Sequence, residues 1–156
     1  MGLREIMEAF AAEVGVTDAK PDEMGSYHFN VDGMIVTFVE AGENLVTWAE
    51  VGEVPPVGHE RFYRMLMESM FLGEQTAGGS FSIDPDSGKV YLQRFDALAA
   101  LTLESFKAIL EPFFDALEKW HDDVADFRDL APDLENAEEA AAGESREFDL
   151  GSFMRV

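Results

Sequence analysis

The sequence predicts an α+β fold: a helix, a three-stranded antiparallel meander, a second helix, a two-stranded hairpin and a long third helix, assembled as a homodimer. Three observations carry the order of elements. Apolar residues recur every three or four positions at the start of the chain and again from Leu103 to Phe127. Strand-like runs fill the stretch from Tyr27 to Val51. Turn residues punctuate the boundaries between them.

Leu3, Ile6, Met7, Phe10 and Val14 share one face of the first helix, and Gly15 follows as a C-terminal cap. Tyr27, Phe29 and Val31 alternate with His28, Asn30 and Asp32, the period of a half-buried strand. Asp32-Gly33 is a two-residue hairpin signal. Met34 to Val39 is apolar on both faces apart from Thr37, which predicts a strand covered on both sides. Leu45 to Val51 completes the meander. A second helix is expected from His59 to Leu72, then strands at Phe81–Ile83 and Val90–Leu92 joined by a turn-rich loop, Asp84 to Gly88. Thr102 is the expected N-cap of the third helix. Its seam of Leu103, Phe106, Leu110, Phe113, Leu117, Trp120, Val124 and Phe127 advances by threes and fours, and Pro112 inside it should kink the helix.

A chain of 156 residues has room for one domain with a real core. Against 32 Asp and Glu stand only 11 Lys and Arg, a formal charge of −21. Such a surface repels phosphate backbones and anionic lipid, so neither nucleic acid nor membrane is expected as a partner. Cysteine is absent, which removes disulfides, thiolate metal clusters and a Cys nucleophile. The N-terminus shows no apolar signal core, and no run in the chain is long enough to span a bilayer, so the expected location is the cytosol.

No chemistry-bearing motif stands out. His28, His59 and His121 lack ligand spacing with one another. Asp84-Pro85-Asp86-Ser87-Gly88 resembles the opening of a calcium loop, but Phe95 stands where a bidentate Glu is needed, and a hairpin turn accounts for the same residues. No serine sits in a nucleophile elbow, and paired acids carry little information in so acidic a chain. The expectation is a binding protein that is not an enzyme and needs no cofactor.

The second helix is over-apolar for a surface helix, with Phe62, Tyr63, Met65, Leu66, Met67, Met70, Phe71 and Leu72 covering more than one stripe. Either it is buried wholly in its own domain or the excess faces a second copy, with Phe62, Leu66, Met67 and Met70 as the dimer interface. After residue 129 the composition changes. Residues 130–156 hold seven acids and two bases and are expected as a separate acidic tail beyond a domain of residues 1–129. The tail ends in Phe148, Leu150 and Phe153, which either fray or fold back across a flexible spacer to dock in an apolar groove.

The order of elements, the run Phe62-Tyr63-Arg64-Met65-Leu66-Met67-Glu68-Ser69-Met70, the Gly78-Gly79 before Phe81-Ser82-Ile83, the acidic turn with Gly88 and the helix with Trp120 near its end together resemble the class I type III secretion chaperones of the Tir-chaperone (CesT) family. The YbjN-like proteins, similar in fold, are the alternative: a dimeric scaffold or regulatory protein with no secretion role. The chaperone resemblance implies a homodimer that holds the N-terminal segment of a secreted effector in non-globular form for export, with partner contact expected at Tyr27, Phe29, Val31, Val36 and Phe38.

Overall fold

The computed structural model describes the backbone of residues 2–153 and the side chains of residues 2–143. Helix α1 spans Leu3–Val14 and ends where Gly15 turns left-handed at φ 75°. Strands β1 (Tyr27–Val31) and β2 (Met34–Ala41) meet at Asp32-Gly33. Both turn residues have positive φ, 51° and 89°, the conformation that lets a two-residue turn follow the strand twist. Strand β3 (Asn44–Glu53), helix α2 (His59–Ser69), β4 (Ser80–Ile83), β5 (Lys89–Ala97) and helix α3 (Leu103–Phe153) complete the expected order. The five strands form one antiparallel sheet in the order β1-β2-β3-β5-β4, so β5 returns to pair with the meander and β4 takes the far edge.

The sheet packs against the helices through one core. Ile6, Met7 and Phe10 of α1, Phe62 and Leu66 of α2, and six seam residues of α3 join the inward side chains of the strands. At one end of that core, four rings close a cycle. Phe10 meets Phe29 and Phe106, and Phe38 meets the same two, all edge-on at centroid distances of 5.5 to 5.7 Å. Each such pair adds about 0.5–1.5 kcal/mol beyond the area it buries, so α1, β1, β2 and α3 are tied by mutually supporting contacts.

Thr102 caps α3 as expected. Its hydroxyl accepts from Ser105 N–H at 3.2 Å, while Thr102 N–H donates back to Ser105 Oγ at 2.9 Å. The seam is buried from Phe106 to Val124, with Leu103 and Phe127 half-buried at its ends. Helix α3 runs 51 residues through both Pro112 and Pro132, each on the exposed side where water can replace the lost donor.

The expected boundary at residue 130 is one of composition, not of backbone. Residues 132–147, read from sequence as a loose spacer, continue α3, because Ala and Glu dominate them and both favour helix. The first part of this extension is also packed. Ala131 is fully buried beside Gly58, and Glu138 pairs with Arg61 at 2.5 Å. Phe148, Leu150 and Phe153 carry side chains outside the described ones, so their docking is not placed; the spacer expected to fold them back is helical.

Phe106→Ala removes two of the four ring contacts and should cost about 3–5 kcal/mol in chemical denaturation. Phe95→Ala, at a residue 57% exposed, should stay within about 0.5 kcal/mol. Equal losses at the two positions would contradict this core.

Candidate partner-binding surfaces

The strand residues expected to touch a partner are core. Tyr27, Phe29, Val36 and Phe38 are all buried, and Val31 is half-buried against the same cluster. Alternation shows that one face of a strand is apolar without showing whether a helix already covers it. Here α1 and α3 cover it.

What β1 does offer is its edge. It lies at one end of the sheet, and among the described residues its outer side makes no backbone hydrogen bond. The opposite edge is partly closed, since Phe81 N–H of β4 donates to the Met70 sulfur at 3.2 Å. An open edge with unpaired N–H and C=O groups is a template for an added strand.

Helix α2 divides the four residues expected at a dimer interface. Phe62 and Leu66 are buried in the chain's own core, Phe62 against Phe127 at 5.3 Å, so an interface cannot use them. Met70 is half-buried with its sulfur engaged. Met67 is 69% exposed. Phe71 and Leu72, part of the same apolar run but not among the four residues named for the interface, are 76% and 82% exposed in the turn after the helix. Leu72 sits at φ 61°, a costly region for a branched side chain, and it holds that side chain in water. The sequence signal for this pair was an apolar run too long for the turns of helix available to it.

The second face of the sheet is also open. Ile35, Val39, Trp48, Tyr91 and Phe95 alternate with the core residues of β2, β3 and β5, and Ile35 and Phe95 are more than half exposed. Trp48 and Tyr91 pack edge-on at 5.2 Å. Strand β2, expected to be covered on both sides, is covered by helices on one; on the other, Thr37 is buried among its neighbours while Ile35 stays exposed.

The polar groups that cluster serve to hold loops. Asp22 Oδ2 lies 2.9 Å from His28 Nε2, and His28 Nδ1 lies 2.9 Å from the Thr37 hydroxyl. The His28 hydrogen bond, aided by Ser26 N–H, holds the Asp22 carboxyl below the usual carboxylate range. The array has the order acid, imidazole, hydroxyl, yet Thr37 is only 3% exposed and its hydroxyl cannot meet a substrate. It latches the loop after α1 to the sheet. In the Asp84–Gly88 turn, the Asp84 carboxylate accepts from Ser87 Oγ at 2.6 Å and from Asp86 N–H at 3.0 Å, and so is spent within its own loop. Among the described residues no group of three His, Cys, Asp or Glu could hold a metal ion, and no helix is long and apolar enough to cross a membrane.

Known proteins show where this architecture recurs. No curated protein matches the chain in sequence. A chain of the ExsC–ExsE complex superposes with a TM-score of 0.64 at 28% identity, covering 78% of this chain and 95% of that one. A chain of the HopA1–SchA chaperone–effector complex gives 0.63 at 14% identity, with 76% and 92% covered. The Yersinia pestis type III secretion chaperone SycH, in complex with a fragment of YscM2, gives 0.56 at 18%, with 74% and 97% covered. These last two speak for the fold alone. The model of the Tir chaperone protein family matches residues 5–121, from the first helix to the turn of α3 that carries Trp120. The chain belongs to the Tir chaperone protein (CesT) family.

Proposed function

We propose that this protein is a type III secretion chaperone of the bacterial cytoplasm that holds the N-terminal segment of an effector in extended, non-globular form. The observation that carries the reading is the open edge of β1 on a sheet whose other edge is partly closed. Structural relatives that are chaperone–effector complexes support it. An added strand gains backbone hydrogen bonds whatever its sequence, while neighbouring hollows choose among side chains. Holding of this kind needs no turnover and no cofactor. It orders a segment that is otherwise disordered, and export can reverse it. Co-expression with candidate type III secretion substrates of the same organism tests the role. The expected result is a stable co-purified complex; a chain that binds none of them, and acts alone, is instead a scaffold or regulatory protein of the same fold.

The chaperone works as a homodimer in this reading, joined through Met67, Phe71 and Leu72 rather than through Phe62 and Leu66. Two chains of charge −21 repel each other, so the contact belongs where charge is lowest. Helix α2 is such a place, since Arg61 and Arg64 balance Glu60 and Glu68. Light scattering should find a dimer, and Met67→Asp with Phe71→Asp should give a folded monomer. Leu66→Asp should instead destabilise the chain itself by about 3–5 kcal/mol. A native monomer at micromolar concentration would contradict the dimer.

Salt provides a further check. Raising NaCl from low ionic strength to 0.15 M shortens the Debye length to about 8 Å and should raise both Tm and dimer affinity. A fall in both would mean that attraction between charges, not repulsion, governs the assembly.

A further inference from the structure

Between α1 and α3 lies an apolar hollow of about 730 Å³, floored by Phe10, Leu103, Leu110 and Phe114. Its rim carries Glu104 and Glu111, with Glu13 paired to Lys107 at 2.5 Å. A smaller hollow of about 350 Å³ lies where α3 passes the β1–β2 turn and shares Phe114 with the first. Val31 and Met34 line it, and so do four carboxylates: Asp32 from the turn and Asp115, Glu118 and Asp122 from one face of α3.

Those acids are uncompensated. Among the described residues no Lys or Arg lies within ion-pair distance of Asp32, Asp115 or Glu118, and Asp122 has only the His121 ring at 3.7 Å. Like charges three and four residues apart weaken a helix, so the arrangement works against the stability of α3. It suits a cation that arrives with a partner.

We propose that the two hollows form one groove for an extended partner segment in which apolar anchors are followed, within a few residues, by arginine or lysine. The inference rests on the chaperone reading and names the chemistry of the segment held. From Leu103 to Asp122, α3 rises about 28 Å, the length of about eight or nine extended residues. Apolar side chains fill the end at Phe10 and Leu103. The basic side chain lays its stem across Phe114 and sets its head among Asp32, Asp115, Glu118 and Asp122.

Charge complementarity excludes the other occupants. A second copy brings −21 to an acidic rim, and the chain's own residues 130–156 bring seven acids and two bases. A bare metal ion is disfavoured because these carboxylates do not converge on one point.

The test uses fluorescent peptides on the full chain, read by anisotropy. The probe is Leu-Ser-Leu-Ser-Gly-Arg-Gly-Arg, also made in reversed order, with one control replacing Arg by Glu and another replacing Leu by Ser. Asp115→Asn, Glu118→Gln and Asp122→Asn together should weaken the probe at least about tenfold, the loss expected from removing close charge partners. Asp126→Asn, Asp129→Asn and Asp133→Asn remove the same charge elsewhere on α3 and should change affinity less than about twofold. The first variant relieves repulsion, so its Tm should not fall. Equal losses in the two variants, equal binding of the Leu-free control, or no binding by the native chain would each overturn the groove. An effector that co-purifies equally well with the first variant would also overturn it while leaving the chaperone role standing. Failure of any effector to co-purify with the native chain counts against that role, and the peptides still decide the groove.

Discussion

The ring of Phe10, Phe29, Phe38 and Phe106 decides what the rest of the molecule can do. It commits one face of the meander to the helices, and in doing so removes the most apolar strand side chains from any contact with a partner. Everything left for binding is what this commitment leaves over: the backbone edge of β1, the far face of the sheet, the turn after α2 and the groove beside α3. A chain of this size has one core, and once that core is spent on α1 and α3 the second sheet face has no layer to cover it.

This division explains which features were legible in the sequence. The α3 seam was legible because seven turns of helix repeat one spacing, and the Asp32-Gly33 turn and the Thr102 cap because each needs particular residue types. The face of β1 was not, since alternation is the same whether the covering layer is a helix of the same chain or a partner. Helix α2 misled for a related reason. Its apolar excess was real, but periodicity does not say which members of the run face inward; Phe62 and Leu66 do, while Met67, Phe71 and Leu72 do not. Beyond residue 130 the change in composition looked like a change in structure. Ala and Glu suit a long helix as well as a solvated spacer, and Ala131 against Gly58 and Glu138 with Arg61 extend the packing past the family domain.

Charge and apolar surface are put to different uses. The excess of acid keeps the chain soluble and discourages unselective association, so large exposed side chains such as Phe71 and Leu72 are tolerated. Neutrality on α2 is where the proposed dimer would bring like chains together. Concentrated negative charge at the end of the α1–α3 groove is where an unlike, basic one would be held. In the proposed chaperone, backbone pairing along β1 supplies affinity with little regard to sequence, and the groove supplies the choice.

The claim on which the account depends is that a partner is held open along β1 rather than bound as a folded domain. Hydrogen exchange on the co-purified complex tests it on both sides at once. New protection is expected in this chain at Tyr27–Val31, and in the effector only over the segment that touches it. Protection of the effector as a cooperative globular unit, with Tyr27–Val31 exchanging as in the free protein, would contradict it.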